Sequence, residues 1–402
     1  MNSSQWHERI RFTGRRSQVK INKMTEFDFS SIEPYGADEV PKAISRLAHS
    51  PAFARLVKTM NPKTDVDSFT AMMECITTCD ELQYMVMRPL VYQIVQRSMT
   101  SFTFDGLEYI EKDQPYLFVS NHRDITLDAS LLDVALLSNQ IKTPEIGFGN
   151  NLMKNEFITD LFRLNKMFTI IRDGSRREFY NNSVFLSNYI HHVLFDKQNS
   201  VWIAQRNGRT KNGDDRTDQG LLKMFSMAGT GDFEADFNRL HIVPVAVSYE
   251  YEPCDIMKSV AEYTSQTGIY EKTPHEDVLS MMFGISQQKG DVHLQFCKPL
   301  GEDEVAQCAG LVKNERFTAL AELIDRRIHK GYKLHKTNYI AADLLKGEAE
   351  YEDFYTTGQM ESFIEYAEHS SLKGPSMAAR EQVMDILLTI YANPVFNKAN
   401  CE

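Results

Sequence analysis

From Asp38 onward the apolar positions recur at helical spacing. Val40, Ile44, Leu47 and Ala48 share one face, Asp38 stands where a cap belongs, and Pro41 suits a first turn. A second helical pattern runs from about Ser68 through Phe69, Met72, Met73 and Ile76 towards Met87, with Pro89 expected to end or kink it. Residues 1–35 show no period and read as an irregular lead-in. From residue 107 the period shortens, and apolar runs of strand length occupy 107–110, 116–120, 145–148, 168–171, 201–204, 242–249 and 292–296. Helical patterns lie between them, including 127–138 and 179–194. After Pro299 the chain turns helical again: Phe317, Leu320, Ile324 and Ile328 share a face, Thr337 opens a short helix, and Val383, Leu387, Ile390 and Tyr391 mark a last one. The stretches 347–352 and 370–375 read as exposed connections. Strands alternating with helices predict an α/β fold, a mixed central sheet of about seven strands flanked by helices, with helical regions at both ends of the chain. The expected division is a mainly helical region at 1–103, an α/β domain at 104–301, and a helical region at 302–402 packed on or beside it.

Composition narrows the function classes. The chain has 402 residues, 42% hydrophobic and 25% charged, which fits a folded globular protein. A formal net charge of −11 argues against general attraction to nucleic acid, so an anionic ligand needs a local cluster of basic groups. The six cysteines show no zinc-type pairing; Cys75 and Cys79 are a lone pair at helical spacing. Reduced thiols in a reducing compartment are therefore expected. The N-terminal MNSSQWHERIRF carries charges where a secretory segment would be apolar. The longest uncharged, largely apolar window, 183–195, contains Asn188, His191 and His192 and falls short of the ~20 residues that cross a bilayer. A cytoplasmic protein is expected, its membrane contact peripheral, on the inner face of the cytoplasmic membrane.

The chemistry centres on SNHRDITLD at 120–128, which reads as the end of a strand, a polar turn and the start of a helix. A His on such a turn, with one ring nitrogen held by a carboxylate, is a general base. Two carboxylates compete for that task. Asp124 begins the expected helix and suits a cap, whereas Asp128 lies within it, where Asp has little reason to stand without a partner. A kinase catalytic loop also begins His-Arg-Asp, but it needs an Asn where this chain has Ala129, and Gly147-Phe148-Gly149 is a poor substitute for Asp-Phe-Gly. RNGRTKNG at 206–213 is followed by Asp214, Asp215 and Asp218 with no aromatic stripe, which argues against nucleic acid. His191 and His192 are adjacent on a helix and point apart, a poor start for a metal site.

The 120–128 string resembles the first motif of the glycerolipid acyltransferase superfamily, the glycerol-3-phosphate and lysophosphatidate acyltransferases. Four further blocks resemble the family in order: 147–178, WIAQRNGRTKNG at 202–213, HIVPVAVSYEYEP at 241–253 and GDVHLQFCKPL at 290–300. The segment 334–345 also looks like the family's C-terminal part. Two departures stand out. Five residues separate His122 from Asp128 where the family has one fewer, and the Glu of the third block is absent, Gln205 and Arg206 standing nearby while Asn207-Gly208-Arg209 keeps the rest. The resemblance implies His122 as base and Asp128 as its orienter. It implies phosphate held by Arg172, Arg209, Lys211, Asn207, Gly208 and Arg176, with Arg177 beside it, since guanidinium groups bind phosphate oxygens bidentately. No metal or organic cofactor is called for. The donor would be acyl-CoA or acyl carrier protein, and the acceptor glycerol-3-phosphate or lysophosphatidate, in phospholipid biosynthesis. Backbone N–H groups at the start of the helix are the candidate oxyanion donors. The missing Glu motivates an alternative lipid acceptor such as an amino-acid lipid; a catalytically silent phospholipid-binding relative is the other alternative.

Overall fold

The alternation of apolar runs with helices is realised as one seven-stranded sheet in a computed structural model, which describes residues 27–401 except 154, 269–272, 274 and 373–376. The strands are β1 (Ser101–Asp105), β2 (Leu117–Ser120), β3 (Glu145–Gly149), β4 (Met167–Ile170), β5 (Val201–Ala204), β6 (Ile242–Tyr249) and β7 (Asp291–Phe296). Their order is β1-β7-β6-β2-β5-β3-β4, and every neighbouring pair is parallel except β6 with β7. The sheet is mixed, as the pattern implies.

Strands covered on both faces need apolar residues at every position, and β2 and β6 are buried throughout. Leu117, Val119, Val201 and Ile203 pack one face against Tyr189, Ile190, Leu320 and Ile324. Phe118, Trp202, Val243 and Val245 pack the other against Leu131, Leu132 and Ala135 of the helix Leu127–Ser138. The chain leaves β2 for β3 on one side and later passes from β5 to β6 on the other. The carboxyl ends of β2 and β5 therefore flank a topological switch point, where open α/β sheets place ligands.

Several boundaries differ from the sequence reading. The run at 107–110 is not a strand: Leu107–Tyr109 is a 3₁₀ turn, and the edge strand is Ser101–Asp105, paired in parallel with β7. Gly106 sets the break, with φ 86°, and a Cβ there would stand 1.9 Å from the Phe296 carbonyl oxygen. The helical pattern after Ser68 is interrupted: Val66–Glu74 ends, and a capping box of Thr78 and Glu81 starts the next helix. Pro89 does not end that helix. The helical turns run on from Cys79 to Ser98, and one π turn, Gln83–Met87, stands immediately before Arg88 and Pro89, where a residue without an N–H interrupts the α ladder. Asp38 caps nothing; Val40–Ala48 follows Glu39. Of the expected connection at 370–375, Ser370 and Ser371 are instead the buried end of Thr357–Ser371, and 373–375 lie outside the described residues, as do residues 1–26 of the lead-in.

The helical ends are anchored by polar bonds as well as apolar contact. On the N-terminal side, Ile44, Leu47, Phe53, Met73 and Leu82 form a cluster with Leu164, and Asp160 accepts from Arg46 Nη2 at 2.7 Å and Tyr35 Oη at 2.6 Å. On the C-terminal side, Ile340, Phe363, Leu387 and Tyr391 cluster, and Asp255 Oδ2 accepts from Tyr366 Oη (2.5 Å) and Tyr391 Oη (2.7 Å). Among the described residues, no helix is long and apolar enough to cross a membrane.

Candidate active site

The turn after β2 is held before any ligand arrives. Asn121 is buried and crosses to β6, donating from Nδ2 to the Val247 carbonyl (3.0 Å) and accepting at Oδ1 from the Val247 N–H (2.8 Å). The next residue, His122, presents its Nδ1 to Asp128 Oδ2 at 2.9 Å. A carboxylate only accepts, so Nδ1 carries the proton and Nε2 is the basic nitrogen. The imidazole is 16% exposed, and Trp202 stands edge-on to it at 5.9 Å.

Asp128 lies in the first turn of its helix and collects four donors. Oδ2 accepts from His122 and from the backbone N–H groups of Arg123 (2.6 Å) and Asp124 (2.9 Å), and Oδ1 accepts from Tyr249 Oη (2.8 Å). Burial, and then the Asp128 charge, push the Tyr249 phenol well above its ordinary pKa, so it stays a donor. The turn takes up its extra residue by wrapping its own backbone round the carboxylate. Asp124 opens the helix instead: its Oδ1 accepts from the N–H groups of Thr126 (2.8 Å) and Leu127 (2.7 Å). Burial and the neighbouring Asp128 raise the Asp124 pKa.

Arg123 locks the turn from below. Its side chain is 1% exposed, and its guanidinium donates to Asp215 Oδ2 (2.6 Å), Glu252 Oε2 (3.2 Å) and the Gly213 carbonyl (3.3 Å), with Tyr332 beneath it at 5.2 Å. Lys258 Nζ joins Glu252 Oε1 (2.5 Å) to the Arg123 carbonyl (2.7 Å). Taking one cation from this buried set leaves carboxylates uncompensated. Arg123→Met is therefore expected to lower unfolding stability by about 3–5 kcal/mol, read from the denaturant midpoint.

A pocket of about 850 Å³ opens over the carboxyl ends of β2 to β5. Its lining includes His122, Arg172, Arg206, Asn207, Gly208, Arg209 and Lys211, the carboxylates Asp218, Glu262, Glu276 and Asp277, and the apolar Phe148, Phe162, Met167, Ile170, Leu186 and Trp202. Arg209 Nη2 donates to Ser280 Oγ at 3.1 Å, while Nη1 is buried without a hydrogen-bond partner among the described residues. Arg172 lies against Gly149, where an added Cβ would stand 2.4 Å from Asn151 Oδ1 and 3.1 Å from the Arg172 Cζ, so a side chain at the end of β3 would displace Asn151 and crowd the guanidinium. The loop bends at Gly208, φ 77°, and ties back where Thr210 N–H donates to the His122 carbonyl (3.0 Å).

The structure thus brings His122, Arg172, Arg209, Lys211, Asn207 and Gly208 to one pocket, with Asp128 behind His122. Arg176 is not among the lining residues; it is exposed at the first turn of Arg176–His191, held in place by the Ser175–Glu178 capping box rather than by the pocket. Gln205 does not face the pocket either. It is buried under the loop, its N–H on the Ser120 carbonyl (2.7 Å), and Arg206 lines the cavity instead. Three participants went unread in sequence. Tyr249 ends an apolar run and Trp202 sits inside one, so both resemble core, and Ser280 lies on a helix without any motif. His191 and His192 have separate partners, the Phe225 carbonyl and Asp196, and among the described residues no group of three or more His, Cys, Asp or Glu is placed to hold a metal ion.

A mixed sheet thus carries a His–Asp pair at its switch point, beside a pocket lined by basic, acidic and apolar side chains. Residues 101–248 match the family model described as Acyltransferase. A search of curated proteins found no match. Among solved structures the chain is similar to the 1-acyl-sn-glycerophosphate (LPA) acyltransferase, PlsC, from Thermotoga maritima, at 11% identity and a TM-score of 0.35, over 73% of this chain and 92% of that one.

Proposed function

We propose that the protein moves a fatty acyl chain from a thioester donor, acyl-CoA or acyl carrier protein, to a hydroxyl of glycerol-3-phosphate or lysophosphatidate. The observation that carries this reading is the His122–Asp128 pair beside a pocket lined by Arg172, Arg209 and Lys211 and by apolar walls. His122 Nε2 takes the acceptor hydroxyl proton as the oxygen attacks the thioester carbonyl. The tetrahedral adduct then expels the sulfur, which recovers the proton from the imidazolium, and Asp128 stabilises that cation. Among the N–H groups at the helix start, those of Arg123 and Asp124 are committed to Asp128 and those of Thr126 and Leu127 to Asp124, which leaves the N–H groups of Ile125 and Ala129, both lining the pocket, as the candidate oxyanion donors. Arg172, Arg209 and Lys211 hold the acceptor phosphate, and the apolar walls take the acyl chain. On this reading the catalytic domain is 104–301 together with the start of β1 at Ser101, flanked by the helices described before and after it.

The test is incubation of the purified protein with labelled acyl-CoA or acyl carrier protein and a panel of acceptors. Labelled lysophosphatidate or phosphatidate is the expected product; transfer only to an acceptor without phosphate, or to none, would sink the reading. Arg209→Ala and Arg172→Ala are each expected to raise the acceptor KM by about 10–100-fold, the cost of one charge-assisted contact. The donor KM should stay put. A shift in the donor KM alone would reassign these arginines to the phosphates of the donor.

A further inference from the structure

One helix of the protein is inside out. In Glu276–Ser286 the fully buried residues are Asp277, Ser280 and Gly284, with Ile285 packed partly against the core, while Val278, Leu279, Met282 and Phe283 face solvent at 37%, 48%, 62% and 47% exposure. A surface helix ordinarily does the reverse. The inward face is explained by the site: Ser280 holds Arg209, and Gly284 lies so close to the catalytic turn that a Cβ would stand 2.0 Å from Asp124 Oδ2. Nothing among the described residues explains the outward one.

The position of that face identifies its partner. Glu276, Asp277 and Ser280 line the pocket, so the exposed row borders the pocket's rim. Ile171 and Phe179 line the same pocket from another part of the rim, and with Tyr180 they are exposed too, at 37%, 59% and 59%. Exposed Arg172, Arg176 and Arg177 stand among those three in sequence, outnumbering the exposed Asp173 and Glu178 of the same stretch. Aromatic and aliphatic side chains around a lipid-sized pocket, with guanidinium groups between them, complement the acyl region and the phosphates of a bilayer surface together.

We infer that Glu276–Ser286 lies in the membrane interface, inserting Val278, Leu279, Met282 and Phe283, and that the pocket draws its lipid directly from the bilayer across the rim at Ile171 and Phe179. With 11 residues the helix rests in the surface and does not cross it. The inference rests on the lipid reading of the pocket, because a mouth that takes up lipid from a bilayer has no reason to face water.

Flotation of the full chain with vesicles, of phosphatidylcholine alone and mixed with phosphatidylglycerol, tests this against the double variant Met282→Asp, Phe283→Asp. The wild type should float with the vesicles, and the variant's partition constant should fall more than about tenfold at an unchanged melting temperature. Turnover with short-chain, water-soluble donor and acceptor should be the same for both, while turnover on vesicle-borne acceptor should drop for the variant. A wild type that stays off vesicles, or a variant that floats equally well, overturns the docking face. So does a wild-type dimer that the variant dissolves, since the face would then cover a second copy. Vesicle binding lost in the variant, with no acyl transfer by either protein, would uphold the docking face and sink the proposed reaction alone.

Discussion

Asp128→Asn should fold and lose about 10²–10⁴-fold in turnover. Asp128 accepts from four donors, three on Oδ2 and one on Oδ1. An amide has one accepting oxygen, and the cheaper orientation keeps it on the side of His122 and the two backbone N–H groups. The amide nitrogen then meets Tyr249, whose hydroxyl can turn and accept. One hydrogen bond is rearranged rather than lost, so the melting temperature should fall only modestly. What disappears is the negative charge that stabilises the imidazolium. Asp124→Asn is the control: it retains the oxygen that caps Thr126 and Leu127 and removes a charge that burial disfavours. It should stay within a few-fold of wild type. Measured side by side, the opposite ranking of kcat would move the orienting role to Asp124.

His122→Ala should cost about 10²–10⁴-fold in kcat with little loss of stability. The ring borders the pocket and touches the edge of Trp202, so its removal enlarges a cavity that is already open, and Asp128 keeps three of its four donors. A folded His122→Ala protein turning over near the wild-type rate would eliminate the general-base mechanism.

The sequence was most legible where one physical demand dominated. Strands buried on both faces must be apolar throughout, so β2, β5 and β6 stand out within a residue of their observed ends. An edge strand carries no such demand. In Ser101–Asp105 only Phe102 and Phe104 are apolar, and the more continuous run just beyond Gly106 drew the assignment away. Glu276–Ser286 escaped for the opposite reason, because most of its apolar residues face outward and its fully buried ones are small or polar. Within the site, His122 was readable from its turn, and Asp128 was favoured as its partner by its place inside the helix, with Asp124 as the competing carboxylate. The contribution of Tyr249 was not, because nothing local marks a residue that reaches Asp128 from 121 positions away.

The lock beneath the catalytic turn also sets an order of assembly. Arg123 has Asp215, Glu252 and Tyr332 as its partners, all far downstream in the chain. During synthesis the turn is made early, yet until those residues emerge and dock, Arg123 has no buried counter-charges and stays hydrated. The first motif is thus built well before its buried counter-charges. The lock on the catalytic turn closes only when the chain as far as Tyr332 has docked beneath it, although the His122–Asp128 pair itself is local.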